Sequence, residues 1–368
     1  MTMFRPADHP HTEGPAGPDA PTAAPISVES APQVVIDSMR GVFLARALYA
    51  VAALDVADRL AAGPRCCAEL ADELGLQPRP LHQVLRALTG TGLLRTLPGP
   101  EIGPSQRFAL TSQGQALRKA HPSGTHELIT TMQGASIQDS LAMLPQRLAT
   151  HRTGPELALG APFFEHLRAN PSEAAAFDRM MIALHANESV AVAHAYDFSW
   201  AHTIVDVGGG VGGFLVTVLR RYPPLFGVIA ELPQVAERAR RYLAEHAMAD
   251  RCKAVAADFF SHLPPGADAY LLTYVLHNWD DESCRAILRT CASAMTPHSR
   301  LLVVEAVLPA DDSPHPGKLL DLVMVTLTKG VERETREYQQ LAEQAGLRLA
   351  AEIPTNSAVS VLEFVPAQ

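Results

Sequence analysis

The stretch Asp206-Val-Gly-Gly-Gly-Val-Gly-Gly-Phe214 follows the apolar run HTIVDV and leads into LVTVLRR, the pattern of a buried strand turning into a helix. Glycines at such a turn let the backbone approach a ligand closely, and ligands of open α/β sheets sit at the carboxyl ends of strands. Gly208, Gly210 and Gly213 satisfy G-x-G-x-x-G, a spacing that leaves both a nicotinamide dinucleotide and S-adenosylmethionine open. Glu231 closes the next apolar run, placed to accept ribose hydroxyl hydrogens, and either cofactor predicts it. Asp258 and Phe259 end the third run, offering a carboxylate for an adenine amino group and an aromatic face for its ring. His277 stands in VLHNWDD at the carboxyl end of the fourth run, beside Asn278. An imidazole with an ordinary pKa of about 6.5 is mostly neutral at neutral pH, so it can take a proton from a hydroxyl. Glu305 ends LLVVE, and a carboxylate in so apolar a run needs a partner.

These residues need a scaffold, and the rhythm of the chain supplies one. From residue 196 to 368 the runs HTIVDV, LFGVIAEL, CKAVAADFF, AYLLTYVL and SRLLVVEAVL alternate with helical segments and end in SVLEFV, which predicts a Rossmann-like, doubly wound α/β domain. Residues 33–195 read as mostly helical. An amphipathic helix begins near Val34, and two short helices joined at Gly75-Leu76 precede a hairpin in RTLPGPEIGPSQRFALT, a winged-helix pattern. Residues 1–32 hold seven of the 29 prolines and few aliphatic side chains, so a disordered tail is expected there.

Taken in order, Asp206 to Gly213, Glu231-Leu232-Pro233, Asp258-Phe259-Phe260, VLHNWDD, LLVVEAVLP and the late GVER closely resemble the small-molecule O-methyltransferases of the plant caffeate and flavonoid type and their bacterial natural-product relatives. The resemblance spans roughly residues 34 to 365. It implies S-adenosylmethionine as methyl donor, S-adenosylhomocysteine as product, a winged-helix-like N-terminal region that dimerises and covers the acceptor, and a hydroxylated aromatic acceptor from secondary metabolism. By the same resemblance Gly208, Gly210 and Gly212 face the methionine part, Glu231 the ribose, and Asp258 and Phe259 the adenine. Thr273, where plant members often carry Lys, completes the donor set. His277 is implied as general base, with Glu305 and Glu332 fixing its tautomer and ring plane. Glu334 stands where the family usually has Thr. Phe177, Met181 and His185 on one helix, Asn278, and Asp321 and Met324 near the end of the chain correspond to acceptor-lining positions. No metal is expected, since Asp280 to Glu282 read as caps of the helix they begin.

Thirty Lys and Arg against 39 Asp and Glu leave a net charge of −9, which disfavours general binding to nucleic acid or anionic membranes. The first residues lack the pattern of a secretory signal, and five cysteines without a CxxC pair fit free thiols in a cytoplasmic protein. The resemblance also leaves an alternative inside the family open, since some relatives methylate nitrogen and a few have drifted to other chemistry on the same scaffold; two rivals outside the family are weaker. A winged-helix regulator would have only Arg79 and Arg86 on its reading helix, and a nicotinamide-dependent oxidoreductase leaves VLHNWDD unexplained.

Overall fold

The computed structural model describes residues 32–367, so the expected tail lies, apart from Pro32, outside the described residues. The chain divides after Val42 into two compact units, the second beginning at Phe43. Of the first, residues 32–42 are described. They form the opening turns of the helix Gln33–Ala53, where Val34, Val35, Met39 and Val42 are exposed.

The second unit begins with a three-stranded antiparallel sheet, β1 (Arg65–Cys66), β2 (Leu94–Thr96) and β3 (Arg107–Leu110), in the order β1-β3-β2. The helices Cys67–Leu74 and Pro78–Thr89 bury Leu70, Leu81, Leu85 and Leu88 around Phe108. This is the expected helix-turn-helix and hairpin, with β1 added; two residues carry no periodicity from which a strand could be read. Further helices follow, including Phe163–Ala169, Pro171–Leu184 and Ala186–Ala195, with His185 breaking the last two apart.

Beyond Tyr196 the elements change to a seven-stranded sheet. Its strands are β4 (Thr203–Val207), β5 (Phe226–Glu231), β6 (Cys252–Ala256), β7 (Ala269–Thr273), β8 (Arg300–Glu305), β9 (Leu347–Pro354) and β10 (Ser360–Pro366), in the order β6-β5-β4-β7-β8-β10-β9. Strands β4 to β8 pair in parallel, whereas β10 lies antiparallel between β8 and β9. The chain steps outward from β4 through β6 and then returns to β7 on the other side of β4. That reversal opens a crevice at the carboxyl ends of β4 and β7, which is where the glycine turn and the His277 segment begin. Leu271 packs on one face with Ile204, Leu215 and Ile229, while Tyr270 and Leu272 point to the other with Val205, Ile287 and Val303, the alternation a doubly covered strand requires.

Two readings need correction. Strand β9 was not expected: LRLAAEIP alternates buried and wetter positions at the sheet edge and has few β-branched residues. The fourth strand does not run on to His277 but stops at Thr273. Tyr274, at φ 53°, turns the chain into the left-handed region, and a 3-10 turn spans Leu276–Asn278. No helix among the described residues is long and apolar enough to cross a membrane.

Leu271 is completely buried on a central strand. Leu271→Ala should therefore cost about 2–5 kcal/mol of stability, seen as a lower denaturant midpoint at unchanged slope in chemical unfolding.

Candidate active site

The glycine turn is shaped for close approach. Gly208 and Gly210 have φ of 68° and 58°; a Cβ on Gly208 would press on Phe259 and Val275, while nothing lies within 4 Å of one on Gly210. The Gly210 N–H donates to Glu231 Oε1 at 3.1 Å and the Leu232 N–H to Oε2 at 2.7 Å, so Glu231 is held against the turn. Burial pushes its carboxyl up to about 7 against the pull of those two donors. Asp258 accepts the Phe260 N–H at 2.9 Å, which orients the loop carrying Phe259. Gly212 is buried, its missing Cβ would strike Ile229, and its N–H closes the turn on the Gly209 carbonyl.

Beneath the turn, Asp206 is fully buried with neither carboxylate oxygen hydrogen-bonded, and Thr273 Oγ1 is buried without a partner. Burial, with the nearby Glu231 charge, pushes Asp206 up to about 7. Orphaned acceptors under an open glycine turn suit a ligand that brings its own donors, as the ammonium group and ribose of S-adenosylmethionine do. The residues present fit that donor. Asp206 was legible as part of the motif, but only its burial exposes its unpaired oxygens.

His277 anchors the other side of the crevice. Its Nδ1 lies 2.7 Å from Glu332 Oε1 and 3.8 Å from Glu305 Oε2, and all three side chains are buried. Glu305 Oε1 accepts the N–H groups of Leu276 and His277 at 2.9 and 3.3 Å. Glu305 is thus not a solvent-facing cap, and burial, with Glu332 nearby, pushes it up to about 7 although His277 opposes this. Burial disfavours the imidazolium, but the Glu305 charge and the Glu332 bond outweigh it and hold the His277 pKa above its ordinary value. The 2.7 Å separation is that of a charge-assisted hydrogen bond, shorter than two ligands on a shared cation at about 2.0–2.1 Å each usually allow. Glu334 begins the helix Thr335–Glu343, its N–H bonded to Glu337, so the departure at that position is absorbed by a helix cap.

The acceptor candidates divide. Tyr274, which the sequence gave no reason to single out, lies with its ring 5.3 Å from that of His277 and 4.0 Å from that of His185. His185 Nδ1 is 2.6 Å from Glu188 Oε2, and Asn278 donates to the Tyr274 carbonyl at 3.0 Å. Met181 is half-buried whereas Met180 takes the core side of the same helix. Asp321 accepts the Glu332 N–H at 2.8 Å and Met324 is buried, so Asp321 reaches the site through the Glu332 main chain. Phe177 starts a series of rings through Phe163, Phe164 and Trp279 to Phe259, each centroid 5.3–6.4 Å from the next. On the helix Pro171–Leu184, Ile182 lies where a Cβ on Gly213 would fall and Asp178 pairs with Arg238 of the helix Pro233–Glu245.

With this geometry in place, comparison with known proteins decides the family. Residues 146–348 match the model of the O-methyltransferase domain, and residues 36–120 that of the O-methyltransferase dimerisation domain. The chain belongs to the O-methyltransferase family. It is 33% identical to the phenazine O-methyltransferase PhzM of Lysobacter antibioticus over 90% of this chain and 96% of that protein. It is 32% identical to the 8-amino-8-demethylriboflavin N,N-dimethyltransferase of Streptomyces davaonensis, over 86% of this chain and 90% of that one. The O-methyltransferase NcsB1 from neocarzinostatin biosynthesis, solved with S-adenosylmethionine and 2-hydroxy-5-methyl naphthoic acid, superposes with a TM-score of 0.73 at 34% identity, covering 88% of this chain and 95% of that one. This O-methyltransferase uses S-adenosylmethionine as its methyl donor.

Removing the Glu231 carboxylate should weaken binding of S-adenosylhomocysteine about 10- to 100-fold, the worth of hydrogen bonds to a charged group. Calorimetry on Glu231→Ala checks this, and an unchanged dissociation constant would contradict the ribose assignment.

Proposed function

We propose that this O-methyltransferase methylates a hydroxyl of an aromatic secondary metabolite with His277 as general base. The observation that carries the reading is the buried bond between His277 Nδ1 and Glu332. A carboxylate only accepts, so Nδ1 bears the hydrogen and Nε2 is left with the lone pair that takes a proton. Glu305, on the same side of the ring, holds the main chain of the turn and stabilises the imidazolium that forms. When bound, S-adenosylmethionine supplies a sulfonium methyl already activated for transfer. What remains for the protein is to hold the acceptor oxygen in line and to accept its proton as charge develops.

Gly208, Gly210, Glu231, Asp258, Phe259 and Thr273 are proposed to bind the donor, with Gly212 and Asp206 shaping the cradle from below. Phe177, Met181, His185, Asn278 and Tyr274 are proposed to line the acceptor, and the ring series from Phe177 to Trp279 supports a flat aromatic one. Residues 33–195 are assigned to dimerisation and cover of the acceptor, residues 196–368 to catalysis, in a cytoplasmic homodimer. A nitrogen acceptor is the second reading, favoured by the N,N-dimethyltransferase relative. Incubation with labelled methyl donor and a set of phenolic, quinone and heteroaromatic metabolites, followed by mass spectrometry of the labelled product, distinguishes oxygen from nitrogen.

His277→Ala should lower turnover by about 10² to 10⁴ while leaving donor affinity nearly unchanged, and near-normal turnover would remove the general-base assignment. The base must be neutral to work, and its pKa is raised. The acid limb of kcat/KM should therefore lie above about 6.5, with activity lost as pH falls through it. Glu332→Gln takes away one of the raising influences, so its acid limb should move to lower pH as its turnover falls.

A further inference from the structure

The turn that presents His277 is three residues long, follows a backbone in the left-handed region at Tyr274, and leads within three residues into the helix Asp281–Ala294. Its stability comes from groups that reach in from other segments. Arg333 is the largest of these and is almost completely buried. Its Nη1 donates to the carbonyls of Leu276 and Val331, both at 3.3 Å, and its Nη2 to the carbonyl of Trp279 at 2.9 Å and to Asp281 Oδ1 at 2.8 Å. Its Nε adds a second bond to Asp281 Oδ1 at 3.2 Å. Its own carbonyl accepts the Leu308 N–H at 3.0 Å, in the connection that follows Glu305.

We propose that Arg333 is a positioning residue for His277: its guanidinium grips the main chain on both sides of the histidine while the adjacent Glu332 grips the imidazole, so that the pair fixes where Nε2 points. Neighbouring residues of an extended segment face opposite ways, and here one faces the ring and the other the backbone that carries it. A guanidinium is needed because only a planar fork serves three carbonyls and a carboxylate at once; an ammonium is a point donor and cannot span them. Buried without such partners the cation would be costly, and the Asp281 carboxylate at the turn's exit supplies the countercharge. Sequence alone hides this role, because Arg333 reads as one letter of the charged run ERETRE.

This inference rests on the general-base reading for its meaning but is tested without it. The ionisable groups packed around the centre are Glu305 from β8, Glu332 beside Arg333, Tyr274 from the same turn, Cys284 and Asp281 from the helix Asp281–Ala294, Asp321 behind Glu332, and Tyr338 from the helix Thr335–Glu343, whose hydroxyl is buried without a partner. Loosening the turn lengthens the bond to Glu332, and the imidazolium loses support. In histidine-labelled full-length protein bound to S-adenosylhomocysteine, with His277→Gln to assign the signal, nuclear magnetic resonance should show the His277 pKa falling by at least about half a unit in Arg333→Lys. The dissociation constant of S-adenosylhomocysteine should stay within about twofold. A His277 titration identical to wild type in folded Arg333→Lys overturns the proposal, whatever happens to turnover. Should Arg333→Lys fail to fold, Asp281→Asn, at an exposed carboxylate, should shift the titration in the same direction by less, and no shift there overturns it equally. Retained turnover in His277→Ala would remove the general base but leave this titration readable, so the two failures are separable.

Discussion

The hydrogen bond between His277 and Glu332 is the constraint around which the catalytic half of this chain is arranged. Two carboxylates and an imidazole taken out of water are expensive unless each charge meets a partner. The fold meets that demand with groups from distant parts of the sequence: two backbone N–H groups of the turn for Glu305, the Glu332 N–H on Asp321, and Nδ1 for the Glu332 carboxylate. Gly330 belongs to the same arrangement, since a Cβ there would lie 1.8 Å from the His277 carbonyl oxygen. The cluster is close-packed as well as polar, so the imidazole has little freedom to rotate.

Opposite it lies the glycine turn proposed to hold the donor. Its polar groups are left open: the Asp206 oxygens and the Thr273 hydroxyl are buried and unpaired, and the Gly210 backbone faces free space. In the triad Glu305 Oε2 and Glu332 Oε2 are likewise buried without a hydrogen-bond partner, but there His277 Nδ1 lies 3.8 Å from the one carboxylate and 2.7 Å from the other. The reversal of strand order between β4 and β7 brings the two within one crevice, and the aromatic series beginning at Phe177 runs along its edge.

Much of this is legible in the sequence. The strand-turn-helix pattern at Asp206 and the apolar runs located β4 to β8 and β10, and motif order singled out His277, Glu305 and Glu332. Three things were not legible, each for a physical reason. Strand β9 alternates at an edge with few β-branched residues, so its local signal is faint. Tyr274 reads as an interior residue of the apolar run AYLLTYVL, since a left-handed backbone conformation at a non-glycine residue leaves no mark in composition. Arg333 looks like part of a solvated charge run, and only the packing of the turn shows that it is interior, with Glu332, while Arg336 and Glu337 are not. Burial of a charge is a tertiary fact.

The glycine cradle is carried by β4, β5 and the loop after β6, whereas the cluster of His277, Glu305 and Glu332 is carried by the connection after β7, the end of β8 and the segment around residue 332. The two therefore rest on largely separate stretches of chain. On the proposed roles, such a division makes the architecture modular under selection: a lineage can rewrite what happens at the acceptor atom by altering a few positions on one side of the crevice, and still inherit recognition of the same donor intact.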